Sequence, residues 1–167
     1  MIMSIKKMTI TAALTALMTV LTCTVTVPLG NFGFFNLSDL LIMLLSGFVS
    51  QLQIIIIGGV GCALADVALS YAQYAIFTLV IKSLEGLIMM AILKKGLIKF
   101  KPVAFAIGAL TMMIGYGLVD SFLGQSITMM IPSMTANLPQ GAACFVIASL
   151  CYKPFDKYIG SKLYGSK

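Results

Sequence analysis

Lys82 and Glu85 stand one turn apart in SYAQYAIFTLVIKSLEG (70–86), a stretch otherwise composed for lipid. A charge at the centre of a bilayer costs ~2.5–3.5 kcal/mol on insertion scales, so it must pair or face a polar cavity. Asp39, Asp66 and Asp120 also fall among apolar runs, which sets four carboxyls against one lysine. If all ionise, negative charge is in surplus, and that surplus suits a ligand with an amine or protonated nitrogen. Asn36, and Asn137 and Gln140 of "NLPQG", add neutral hydrogen-bonding groups. Phe32, Phe34, Phe35, Tyr71, Tyr74 and Phe77 offer faces for a flat ring.

Each group also has a plainer role. Lys82 and Glu85 can pair along one helix face. Asp39, following Asn36 and Ser38, suits a helix N-terminus, and Asp120 suits the membrane interface. Aromatic residues near span ends form interfacial belts. Clustering of so many polar groups favours a ligand pocket over separate structural pairings.

Other chemistries find no support. The chain has no histidine, and Cys23, Cys62, Cys144 and Cys151 lack CxxC spacing, so no metal site, cofactor or disulfide frame is expected. No serine–lysine dyad is evident, and "GYGLVD" lacks GxGD protease spacing, so no catalytic residues are expected. "IIIIGGVG" lies within an apolar run without the strand–turn–helix setting of a nucleotide loop.

The elements that hold these residues must be membrane helices. Of 167 residues, 60% are hydrophobic and 10% charged, with mean hydropathy +1.06. A soluble domain cannot hide that much apolar surface. Apolar runs between breakers predict helices near 8–27, 37–50, 54–70, 76–94, 102–124 and 134–152, in one membrane domain spanning 1–167. The first run resembles a signal peptide but is followed by no small-x-small cleavage site, so it is expected to remain as a span.

The net charge of +6 comes from eleven lysines and no arginine. Clusters beside apolar spans point to membrane orientation rather than nucleic acid. With six spans, Lys6 and Lys7, "KKGLIKFK" (94–101), and Lys153, Lys157, Lys162 and Lys167 fall on one side. The loops near 28–36, 71–75 and 124–134 hold no lysine. The positive-inside rule therefore predicts an all-α, six-span protein with both termini cytoplasmic. On this topology Asp39 is expected at the outer start of helix two. Lys82 is expected roughly 9 Å deep and Glu85 about 14 Å. The polar groups then crowd the outer half, as an outward-facing pocket requires and a full-thickness ion path does not.

"NLSDLLIMLLSGF", "GCALADVALSYAQYAIFTLVIKSLEGL", "MMIGYGLVD" and "NLPQG" together resemble the S components of energy-coupling factor vitamin transporters, from about residue 8 to 152. The resemblance is closest to the six-helix branch for riboflavin-type, pyridoxine and hydroxymethylpyrimidine uptake. It implies a subunit of a bacterial cell membrane that captures a vitamin and associates with a transmembrane T subunit and two ATP-binding subunits. It also implies docking through a small-residue face of the first helix, matched here by Ala12 and Ala16, and transport by toppling of the subunit in the bilayer. A transporter or channel without ATPase subunits and a purely structural membrane subunit are the competing classes.

Overall fold

The computed structural model describes residues 4–28, 32, 34–96 and 100–160; Lys99, Lys162 and Lys167 lie outside them. Helix α1 (Ile5–Thr24) starts at Ser4, whose hydroxyl accepts from the backbone N–H of Lys7. A short antiparallel pair follows, β1 (Val27–Pro28) against β2 (Phe34–Phe35). Helix α2 (Ser38–Leu45) comes next. Helix α3 (Gln51–Ala68) opens with a capping box between Ser50 and Gln53. Helix α4 (Ala72–Lys95) stops at left-handed Gly96, and α5 (Pro102–Leu123) begins on a proline. Helix α6 (Met130–Phe155) follows a single 3-10 turn.

Among the described residues, five helices, α1 and α3 to α6, are long and apolar enough to cross a membrane. The expected second span differs. Eight residues of α2 make about 12 Å, far short of a ~30 Å hydrocarbon core. Its surroundings explain how so short a helix is tolerated. It touches all five long helices, and Asp39, Ile42 and Met43 are fully buried. Irregular backbone at membrane depth is permitted where protein rather than lipid covers it. The Phe34–Val49 stretch runs beside α6, from Asn36 at Gln140 to Phe48 stacked on Tyr152 at 5.7 Å. Val49 then accepts a hydrogen bond through its carbonyl from Lys94.

The two ends of the bundle differ in charge. Lys94 meets Val49, and Lys101 lies over Tyr152 and 3.8 Å from Asp156, all at one end. The joints between α3 and α4 and between α5 and α6 lie at the other. Between them the core is Met18, Ile42, Met43, Ile54, Ile57, Met89 and Phe105.

A glycine seam sets the spacing of α3. Residues Ile55–Val60 form a π-helical stretch inside it, which widens the helix locally. A Cβ on Gly59 would lie 2.9 Å from the Leu79 carbonyl of α4 and would also strike Ser83. One on Gly61 would lie 2.9 Å from Met18 of α1. The Gly61 carbonyl accepts from the Thr19 hydroxyl at 2.8 Å. Backbone contact at this seam brings α3 against α4 just above Lys82.

Gly59→Ala is therefore expected to destabilise the protein by about 1–3 kcal/mol, the usual cost of overpacking. Thermal unfolding in detergent measures it; an unchanged melting temperature would show that the seam yields freely.

Candidate functional site

Helix α4 carries the spine of the site. Tyr74, Thr78 and Lys82 recur every fourth residue and so share one face. The helix begins at Ala72, four residues before the expected start, because the polar AQY segment is accommodated as its first turn. Lys82 thus lies about 15 Å into α4 and Glu85 about 20 Å, deeper than the sequence suggested. Asp39 is correspondingly not at an outer helix start. Its helix begins deep, at the level of Lys82.

At that depth three charges meet. Lys82 Nζ pairs with Asp39 Oδ1 and lies 3.3 Å from Glu85 Oε2, and all three side chains are 0–1% exposed. Gln140 Nε2 donates to Asp39 Oδ2 at 2.8 Å. Gln140 Oε1 accepts from the Asn36 backbone N–H, also at 2.8 Å. Asn36 Oδ1 in turn accepts from the Ser38 backbone N–H at 2.8 Å, satisfying one of the free donors at the start of α2. Asp39, in the first turn of α2, also sits favourably at the positive end of the helix dipole. One network therefore ties α2, α4 and α6 together.

Above it lies a cleft with ≈ 420 Å³ of empty space, counting its open part. Asn36, Asp66, Tyr71, Tyr74, Lys82, Asn137 and Gln140 of the expected substrate residues line it. Asp39, Glu85 and Asp120 do not; they stand behind the wall. Asp39 and Glu85 back Lys82. Asp120 accepts from the Tyr74 hydroxyl at 2.6 Å and from the Ser133 hydroxyl, joining α4, α5 and α6 near the lysine-free end.

Aromatic residues divide the same way. Phe32, Phe34, Tyr71 and Tyr74 line the cleft. Phe34 and Tyr71 have ring centroids 5.0 Å apart, and Tyr71 and Tyr74 6.4 Å. Phe77 instead meets Phe122 at 6.0 Å, away from the cleft lining. Sequence reading missed Thr22, Ser38, Cys62, Thr78 and Tyr116, which also line the cleft. A signal existed for three of them: Cys62, Thr78 and Tyr116 lie four residues before Asp66, Lys82 and Asp120, respectively.

Among the described residues, no buried charge continues the cleft toward the lysine end. Gln53 donates to Thr11 at 3.0 Å there, a neutral pair. Among the described residues, no group of three or more histidine, cysteine or acidic side chains is arranged to hold a metal ion.

A mostly helical membrane bundle with a polar, aromatic-rimmed cleft closed at mid-depth has the form of a solute-capturing membrane protein. The family model for "ECF-type riboflavin transporter, S component" matches residues 2–157. The chain belongs to that family and is a vitamin-binding transporter subunit, not an enzyme. A Pyrococcus woesei protein, described only as an uncharacterized protein in the gap 3′ region, is 38% identical over 101 residues. The match covers 59% of this chain and 67% of that relative. S components of this kind associate with T and ATPase subunits.

Removing one partner of a buried ion pair leaves an uncompensated charge, at about 3–5 kcal/mol. Lys82→Met strands both Asp39 and Glu85 and is expected to lower stability by that amount. Asp39→Asn should cost less, because Lys82 keeps Glu85 and Gln140 keeps an amide oxygen to donate to. Detergent unfolding curves of the two variants test the order; equal losses would overturn it.

Proposed function

We propose that this chain captures a vitamin or vitamin precursor in the cleft from the outer face of the plasma membrane. It then delivers the ligand through a T subunit and two ATP-binding subunits. The observation that carries this reading is the cleft itself, which combines donors, acceptors and aromatic faces and ends at mid-depth. The lysine distribution supports an orientation with both termini cytoplasmic and the cleft facing out. In that orientation Phe34–Val49 completes a sixth crossing, part extended and part helical.

The substrate proposed first is hydroxymethylpyrimidine or pyridoxine, small rings whose amino or ring nitrogen suits the excess of carboxyls. Contact is assigned to Asn36, Asp66, Tyr71, Tyr74, Lys82, Asn137 and Gln140. Asp39, Glu85 and Asp120 hold those side chains from behind. Riboflavin is the second reading, favoured by the description of the matching family.

Docking is assigned to α1. Ala12 and Ala16 are exposed on this helix, and small residues four apart let another helix approach closely. Transport by tilting of the whole subunit fits a cleft that does not pass through the bundle.

Native mass spectrometry of the purified protein, without added ligand, tests the capture role. A co-purifying pyrimidine, pyridine or flavin is expected. A clean apo mass, followed by no thermal shift with these three compounds, would overturn it. Ala12→Trp or Ala16→Trp should leave ligand binding unchanged while abolishing uptake into cells expressing the coupling subunits. Loss of binding with an intact fold would remove α1 from the docking role.

A further inference from the structure

Among the described residues, one carboxyl oxygen in the cleft lacks a hydrogen-bond partner. Asp66 is 4% exposed and lines the cavity, and its Oδ2 makes no hydrogen bond. Leaving a buried acceptor unmet costs about 1–3 kcal/mol, more when it is charged. The cation that also lines the cleft is already committed. Lys82 is held between Asp39 and Glu85, so it has no unbalanced charge to offer an incoming anion.

Neighbouring hydroxyls leave Oδ2 available. Thr78 adjoins Asp66 and hydrogen-bonds Tyr116 at 3.1 Å. A hydroxyl has one proton; when Thr78 donates it to Asp66, Tyr116 donates to Thr78. Such a chain would occupy one carboxyl oxygen and leave Oδ2 for something outside the protein. A second group without a hydrogen-bond partner among the described residues, the hydroxyl of fully buried Ser38, lies in the same cleft beside the Cys62 thiol. Ser38 adjoins the Asp39–Lys82 level, one helical turn, about 6 Å, beyond Thr78.

We propose that Asp66, rather than Lys82, selects the ligand. Its Oδ2 accepts a hydrogen bond from an N–H or O–H on the edge of a heterocycle, and its charge rejects ligands bearing phosphate or carboxylate. Ser38 receives a hydroxyl-type substituent at the floor. The accepted class is therefore the free, unphosphorylated heterocycle, neutral or protonated, with a donor edge. This inference rests on the vitamin-capture reading and narrows it.

The test is calorimetric titration of the purified protein with hydroxymethylpyrimidine, pyridoxine and riboflavin, each beside its monophosphate. The free form that binds is expected to bind at least roughly 100-fold more tightly than its phosphate ester. Asp66→Asn, nearly isosteric, should weaken the free form roughly 10- to 100-fold and narrow the gap to the ester. Equal affinity of free and phosphorylated forms, or unaltered affinity in Asp66→Asn, overturns the role of Asp66 while vitamin capture stands. Failure of all three free forms to bind the unmodified protein overturns vitamin capture, and this inference falls with it. Should Asp66→Asn not fold, the comparison of free and phosphorylated ligands on the unmodified protein still decides.

Discussion

The charge on Lys82 has to be kept stable about halfway through a membrane, and much of the architecture follows from that requirement. An ammonium at this depth needs counter-charge and hydrogen bonds supplied by protein, because hydrocarbon supplies neither. Glu85 comes from the same helix, but the closer partner, Asp39, must be brought from another. A long straight span would place an acid at its first turn near the membrane surface. The chain instead enters through β2 and starts α2 deep inside, where Asp39 meets Lys82 and the five surrounding helices exclude lipid. Asn36 and Gln140 then satisfy backbone groups that this late start exposes.

A buried ion pair is weak evidence for stability, since well-packed apolar residues of similar volume do as well or better. Retaining three charged groups here thus makes more sense as a floor for a polar cleft than as a fastening. Beyond that floor the described interior turns apolar, with Ile42, Met43, Ile54, Ile57 and Met89 in contact. Such packing argues against a continuous ion or proton path, which would need polar stations through the remaining thickness.

Much of this was legible in the sequence, and the rest was hidden for specific reasons. Long apolar runs and lysine clusters identify spans because lipid and the membrane surface act on composition directly. The length of α2 was not legible. LSDLLIMLLSGFVS reads as a span whether lipid or protein surrounds it, and only the packing reveals a central, shortened helix. Depth was misjudged because Ala72, Gln73 and Tyr74 look like a loop, yet they form the first turn of α4. Residue type found the charged members of the site but not Thr78 or Tyr116, whose chemistry is ordinary until a helical face aligns them with Lys82 and Asp120. Type also could not tell wall from backing. Asp66 and Asp120 look alike in sequence, but Tyr74 and Ser133 occupy Asp120, whereas Asp66 keeps a free oxygen.

Under the proposed capture role, the same network bears on how a ligand taken up at one face would reach the other. Opening the floor within a fixed bundle would separate Lys82 from Asp39 in a low-dielectric setting, and each stranded ion carries a penalty of several kcal/mol. It would also have to part Ile42 and Met43 from their neighbours in the apolar layer below. Tilting the whole subunit leaves every one of those contacts intact, since the charges move together with their partners. On the docking proposed above, its cost would fall on the lysine-bearing ends and the lipid-facing surface, where the partner would meet α1. Rotation of the intact body, the route proposed above, would leave this floor undisturbed.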